Sequence, residues 1–199
     1  MHFFTRWRKT DTGDNYDTCL QRRRLLRAMA GSAALMAMPG VSQASITLGS
    51  SQRMLTFAHT HTGEKLSVVY KAGNAYIPQS LAKVAYLMRD FVNGEIHPID
   101  TGLLDVLWQL PTNLKAQQPF EIISAYRSPA TNNLLRSRSA HSGVAKDSMH
   151  LRGQAIDIRL PGVALADVRD AALDIKKGGV GYYPDSNFVH VDTGRVRHW

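Results

Sequence analysis

The chain has 199 residues with 24 Lys or Arg, 16 Asp or Glu and one Cys, so its formal net charge is +8. This length predicts one domain or at most two, and an apolar content of 44% excludes a globally disordered chain. A single Cys excludes an intramolecular disulfide and a cysteine-rich zinc ribbon, whereas the excess of basic residues invites a nucleic-acid-binding interpretation that depends on where the charge lies.

The N-terminal segment is typical of an export signal. A basic stretch precedes an uncharged, Ala- and Met-rich segment, residues 28–38, and small side chains at Ser42 and Ala44 suit the −3 and −1 positions of a cleavage site. The apolar segment has 11 residues, well short of the roughly 20 that a membrane-spanning helix needs. We therefore predict a signal peptide over residues 1–44 and a mature domain over residues 45–199.

The export route is indicated by residues 22–27, whose sequence RRRLLR matches the twin-arginine pattern. An ordinary secretory signal or an uncleaved anchor is the alternative.

Residues 1–44 hold seven basic and three acidic residues, so the mature domain keeps 17 basic and 13 acidic residues, a net charge of +4, and no Cys. The mature domain has no basic stripe outside a dispersed basic region at residues 127–146, which argues against a nucleic-acid partner. We expect a periplasmic protein with no membrane span after signal cleavage.

The first half of the mature domain predicts a hairpin followed by two helices. Residues 53–58 and 65–71 alternate apolar and polar side chains around a turn at residues 61–64. A helix is predicted from Pro78 to about Val92, with Phe91 on its apolar face. A second helix starts at Asp100 or Thr101 and is expected to end at Pro111.

The second half predicts a cluster of short strands with two more helices between them. Strands are expected over residues 120–126, 154–159, 180–183 and 187–192, with helices over residues 128–136 and 163–176. The fold class is therefore α+β, a small single domain whose central, mainly antiparallel sheet is flanked by helices.

Three segments carry side chains suited to chemistry, namely residues 124–128, 148–157 and 188–192. Asp157 lies on a strand between Ile156 and Ile158, which face the core, so its carboxylate needs a cation or a metal. Two imidazoles, His150 and His190, with this carboxylate would suit Zn²⁺ and leave one position open for water. The alternatives are a surface loop His150, an ion pair of Asp157 with Arg159 or Arg152, and a sheet histidine at position 190.

Together these segments resemble a known family. The stretches YRS (126–128), SMHLRGQAID (148–157) and GGVGYYPDSNFVHVDTGRVRHW (178–199) are similar to zinc peptidases of the lysostaphin, D-Ala-D-Ala peptidase and hedgehog type, in particular the periplasmic murein endopeptidases. The resemblance covers nearly the whole mature domain. It implies the small α+β fold of these peptidases, one Zn²⁺ per chain, and hydrolysis of peptidoglycan crosslinks between meso-diaminopimelate residues by a zinc-activated water. We expect a monomer.

The resemblance also implies residue roles. It places His150, Asp157 and His190 at the three zinc ligands, Arg127 where an arginine binds the substrate carbonyl or oxyanion, and Ser148 where a serine gives a substrate or supporting hydrogen bond. The family's usual base position holds Asn187 or Phe188 here, and neither can take a proton.

Asp192 is the substitute that we predict as general base, because it lies two residues after His190 on a strand and shares its face. The alternative is that Asp192 orients a ligand or pairs with Arg195 or Arg197. Tyr182 and Tyr183 lie close in sequence to His190, and we predict Tyr182 as a substrate contact, with packing in the core or at the rim as its alternative.

Two other functions are compatible with these residues. A D-Ala-D-Ala carboxypeptidase, or a hydrolase of another crosslink, would use the same ligand set. A non-catalytic, zinc-stabilised module that binds cell wall would explain the missing base.

Overall fold

The computed structural model describes residues 51–114, 118–138 and 144–199. The predicted signal peptide, residues 1–44, lies outside these ranges. Within them, no helix has the length and apolar character needed to cross a membrane.

Within the described residues, eight strands form one sheet in the order β3-β2-β1-β4-β5-β7-β6-β8. Neighbouring strands run antiparallel, except that β1 with β4 and β6 with β8 are parallel. The predicted α+β class with a mainly antiparallel sheet is therefore confirmed. The strands are β1 Gln52–His59, β2 Lys65–Ala72, β3 Ala75–Tyr76, β4 Phe120–Ser124, β5 Ala155–Arg159, β6 Gly179–Tyr183, β7 Phe188–Asp192 and β8 Arg197–His198.

Helices pack against this sheet and enclose one hydrophobic core. They are α1 Pro78–Leu87, α2 Thr101–Leu114, α3 Pro129–Ser137 and α4 Leu165–Ile175. Helix α1 contacts β2, α4 contacts β6 and β7, and α2 contacts both β1 and α4. The core includes fully buried side chains from the sheet and from α2, each worth about 1.5–3 kcal/mol relative to exposure; among them are Phe57, Leu103, Leu104, Leu107, Leu110, Ile122, Ile156 and Ile158.

Helix α1 ends at Leu87, five residues before its predicted end, because Asp90 forms hydrogen bonds to backbone groups outside the helix. Its buried carboxylate accepts from the backbone N–H of Val92 at 2.9 Å and of Ser128 at 2.9 Å. These bonds turn the chain out of the helix, and Phe91 becomes 40% exposed instead of buried. Ser128 in turn caps α3, since its Oγ accepts from the N–H of Thr131 at 3.2 Å.

Helix α2 continues past its predicted end. Asp100 caps its N-terminus by accepting from the N–H of Gly102 at 2.9 Å, as the sequence suggests. Pro111 lies inside the helix and not at its end. A proline here removes one backbone hydrogen bond, and the helix runs on for only three further residues.

Candidate active site

Two of the predicted metal ligands are brought together by strand pairing. Asp157 on β5 and His190 on β7 are register partners in an antiparallel pair. Ile156 and Ile158 alternate with Asp157 and are fully buried in the core, so the Asp157 carboxylate and the His190 imidazole point to the opposite face. The sheet thus fixes these two side chains side by side.

The third predicted ligand comes from a short 3-10 turn, Met149–Arg152, that enters β5. Ser148 caps this turn, and its Oγ accepts from the N–H of His150 at 3.4 Å. Gly153 ends it in a left-handed conformation with φ of +63°, where a Cβ would lie 2.2 Å from the carbonyl oxygen of Pro98. Only glycine fits there, and the resulting bend carries His150 back over the strand pair.

The three side chains form a tight, buried cluster. Asp157 Oδ1 lies 2.8 Å from His190 Nδ1 and 3.3 Å from His150 Nε2, and the two imidazole nitrogens are 3.2 Å apart. Donor atoms of the three residues lie within 4.8 Å of one another. Each of them can therefore contribute one atom to a single ion.

The outer nitrogen of each histidine is already bonded, which leaves the inner one for an ion. His150 Nδ1 lies 2.6 Å from the carbonyl oxygen of Ala125, and this contact requires it to carry the proton. His190 Nε2 lies 3.1 Å from Asp192 Oδ2. Such outer contacts are typical of metal-binding histidines, and a set of two imidazoles and one carboxylate fits Zn²⁺.

Asp157 and His190 each stabilise the charged form of the other. Burial alone would raise the pKa of Asp157, but the charges and hydrogen bonds of His150 and His190 hold this pKa below its ordinary value. For His190, burial alone would lower the pKa, and its hydrogen bonds to Asp157 and Asp192 raise it above the ordinary value. Asp157 is thus an ionised carboxylate and a suitable ligand for a cation.

Asp192 lies behind His190 and not in the cavity. Its side chain is 0% exposed and accepts from Arg197 Nη2 at 2.6 Å and from the backbone N–H groups of Gly179 at 2.9 Å and Gly194 at 2.8 Å. Burial opposes its charge, but these bonds and that of His190 lower its pKa. This geometry favours the alternative to the predicted general base, namely that Asp192 orients a ligand and pairs with Arg197.

Arg127 and Ser148 both line the cavity beside the cluster. This cavity has a volume of about 230 Å³. The N–H of Arg127 donates to the carbonyl of His150 at 3.2 Å, so the two residues are held together through the backbone. Burial lowers the pKa of the Arg127 guanidinium, while the charges of Asp157 and Asp90 act in the opposite direction. A cationic donor thus stands next to the cluster.

The structure does not place Tyr182 in the cavity. On β6, Tyr182 follows the phase of the buried Val180 and packs against the core, with the Arg169 guanidinium 4.7 Å from its ring centroid. Tyr183 has the opposite phase and lines the cavity. The alternation of side chains along a strand therefore places Tyr182 in its alternative position, packed against the core, and puts Tyr183 at the cavity.

Comparison with known proteins identifies the family of this chain. The model of the family described as peptidoglycan L,D-endopeptidase MepK matches residues 47–199. The chain belongs to the MepK family. It is 44% identical over 186 residues to the peptidoglycan L,D-endopeptidase MepK of Escherichia coli K12. The matched region covers 94% of this chain and 100% of that protein. It is 45% identical over 148 residues to a probable MepK of Haemophilus influenzae, covering 74% of this chain and 78% of that protein. No solved structure gives a significant match.

Membership in the MepK family confirms the resemblance to peptidases, and the chain is an enzyme of this class. Two features of the site in this MepK-family chain could not be predicted from sequence motifs. One is the Ala125 carbonyl, a backbone group that side-chain motifs do not reveal. The other is Trp199, whose ring centroid lies 5.3 Å from that of His190. Its proximity follows from β8 pairing with β6, which no local pattern indicates.

Proposed function

We propose that this chain is a zinc-dependent murein endopeptidase that cleaves peptide crosslinks of peptidoglycan between two meso-diaminopimelate residues. The observation that carries the proposal is the convergence of His150, Asp157 and His190 at a cavity that Arg127 also lines. The names of the relatives, peptidoglycan L,D-endopeptidases, supply the substrate class.

His150, Asp157 and His190 are the proposed ligands of one Zn²⁺ per chain. When bound, the ion supplies a Lewis acid that activates water and polarises the scissile carbonyl. Asp192 and the Ala125 carbonyl fix the orientation of the two imidazoles through their outer nitrogens. The positions of the ligands are thus set before the substrate arrives.

Arg127 and Ser148 are the proposed substrate-binding groups. The Arg127 guanidinium binds the scissile carbonyl oxygen and stabilises the negative charge that develops on it. Its partial burial strengthens this interaction, because water screens it less. The Ser148 hydroxyl accepts from the N–H of His150, and within the residues that the structure describes it donates to no protein acceptor, so its hydrogen can serve a substrate oxygen.

The proposed setting is the periplasm, reached by the twin-arginine route through residues 22–27. Replacement of Arg22 and Arg23 by Lys tests this part, because that route requires the arginine pair. We expect the variant to remain in the cytoplasm. Normal export of the variant would contradict the twin-arginine proposal without affecting the enzymatic one.

A digest of intact sacculi tests the activity. Wild-type protein with zinc is expected to release muropeptides whose masses correspond to cleaved diaminopimelate–diaminopimelate bonds. His150→Ala is expected to release none and to lose bound zinc, measured by elemental analysis. His61→Ala is the matched control, because His61 is exposed and stacks on Phe91.

The products also separate the alternatives. Loss of a terminal D-Ala would indicate a carboxypeptidase, and cleavage at another bond would indicate another crosslink specificity. A zinc-loaded protein that releases no product from any crosslinked muropeptide would indicate a non-catalytic wall-binding module.

A further inference from the structure

The Tyr183 hydroxyl is fixed at the cavity wall by two aromatic neighbours. Its ring stacks on Phe188, the register partner of Tyr183 on β7, with 4.6 Å between ring centroids. The indole N–H of Trp199 donates to Tyr183 Oη at 2.6 Å. All three side chains line the cavity that contains the His150, Asp157 and His190 cluster.

The direction of the indole bond determines what the hydroxyl can still do. An indole N–H only donates, so Tyr183 Oη is the acceptor and its own hydrogen points away from Trp199. Within the described parts of the chain, Tyr183 Oη accepts from Trp199 and donates no hydrogen bond to a protein group. Because Tyr183 lines the cavity, the hydroxyl is available to a ligand there.

The location of Trp199 brings this hydroxyl close to the cluster. The Trp199 ring contacts Tyr183 through Nε1 and lies 5.3 Å from the His190 ring, measured between centroids. Gly181 makes this approach possible, since a Cβ at that position would lie 2.7 Å from Trp199 Cε2. Because Tyr183 and the three clustered residues line the same cavity, a peptide bound at the cluster can reach the Tyr183 hydroxyl.

We propose that Tyr183 is a substrate-binding residue whose hydroxyl donates to an oxygen of the peptide substrate, and that Trp199 is the positioning residue that aims it. The inference rests on the proposed function, because it takes a peptide at the cluster as the ligand. Carbonyl and carboxylate oxygens of such a peptide are both acceptors for this donor.

Tyr183→Phe tests the inference, because it removes the hydroxyl and keeps the ring that stacks on Phe188. With purified muropeptide dimers crosslinked between diaminopimelate residues, we expect KM to rise about tenfold, while kcat and zinc content stay at wild-type values. Tyr182→Phe is the matched control, since it removes the hydroxyl of the adjacent residue on the other face of β6. We expect it to match the wild type.

Trp199→Phe tests the positioning role, because it keeps an aromatic ring and removes the N–H donor. We expect a similar rise in KM, and no further rise in the Tyr183→Phe/Trp199→Phe double variant, since both changes act through one hydroxyl. Wild-type KM in Tyr183→Phe would overturn the inference, and so would a loss of kcat at unchanged KM. Failure of the wild type to cleave the dimers would instead contradict the proposed function.

Discussion

His190 Nε2 lies 3.1 Å from Asp192 Oδ2, on the side of the ring away from the cluster. The Nδ1 atom of the imidazole therefore faces Asp157, and Nε2 faces the Asp192 carboxylate. That carboxylate forms a salt bridge with Arg197. Asp192 thus determines which nitrogen of His190 can bind an ion.

Asp192→Asn is expected to weaken zinc binding about 10- to 100-fold, because it removes the charge that orients His190. At saturating zinc, the variant is expected to recover most of its turnover. Zinc affinity by competition with a chelating dye, and kcat at several zinc concentrations, measure the two effects.

The control for this variant is Asp185→Asn, which changes an exposed carboxylate in the turn between β6 and β7. It should bind zinc and cleave substrate as the wild type does. An Asp192→Asn protein that keeps its zinc and its fold but has lost turnover at every zinc concentration would instead identify Asp192 as the general base.

Arg127→Ala is expected to lower kcat/KM about 100- to 1,000-fold, the usual cost of removing one donor to an oxyanion. The zinc content should not change, because Arg127 is not one of the three proposed ligands and Arg127→Ala keeps the backbone bond to His150. Steady-state kinetics on crosslinked muropeptides measure the loss, and Arg136→Ala, at an exposed position on α3, is the control. Wild-type kinetics in Arg127→Ala would contradict the proposed role.

Asp105 on α2 joins the helix to the β1–β3 end of the sheet. Its carboxylate accepts from Arg53 at 2.9 Å, Tyr70 at 2.8 Å, Lys71 at 3.1 Å and Tyr76 at 2.9 Å. Burial opposes the charge, but the bonds from Tyr70, Tyr76 and Lys71 lower its pKa.

Asp105→Asn is expected to lower the free energy of unfolding at pH 7 by about 1.5–3 kcal/mol, the range for hydrogen bonds to a charged group. Because the folded pKa of Asp105 is depressed, its contribution is present above the ordinary carboxyl pKa and is lost as the pH falls through the folded value. Urea unfolding at pH 7 and at about pH 3 should therefore show a smaller difference at the lower pH. Exposed Asp174→Asn should show none at either.

Gly181→Ala is expected to displace Trp199, because the added Cβ would lie within 2.8 Å of two indole atoms and of Tyr183 Cε2. Backbone conformation does not restrict this position to glycine, so the effect should be local. We expect a raised KM with unchanged zinc content, and a shift in tryptophan fluorescence. A variant with wild-type KM would mean that the indole can move without consequence for the substrate.

The alternation of apolar residues around Asp157 was enough to predict which face of β5 carries the carboxylate. The same rule placed Asp192 on the face of His190. It could not show that Gly179, Gly194 and Arg197 would donate hydrogen bonds to the Asp192 carboxylate. Those contacts come from other elements, so local spacing does not contain them.

The local sequence could not decide between Tyr182 and Tyr183 as the residue at the cavity, for a related reason. Both residues are adjacent to the site in sequence, and only the register of β6 with β7 assigns Tyr183 to the cavity face. The end of α1 was also beyond local prediction, because Asp90 bonds to the N–H of Ser128, 38 residues away.

The pairing of Asp157 with His190 makes the proposed metal binding depend on the correct register of the sheet. A slip of β7 by one residue against β5 would turn His190 toward the core and bring Val189 or Val191 opposite Asp157. Such a misregistered sheet would have no three-residue site, so zinc would stabilise only the correctly paired form. An ion at this position would therefore select against misfolded chains as well as serve the reaction.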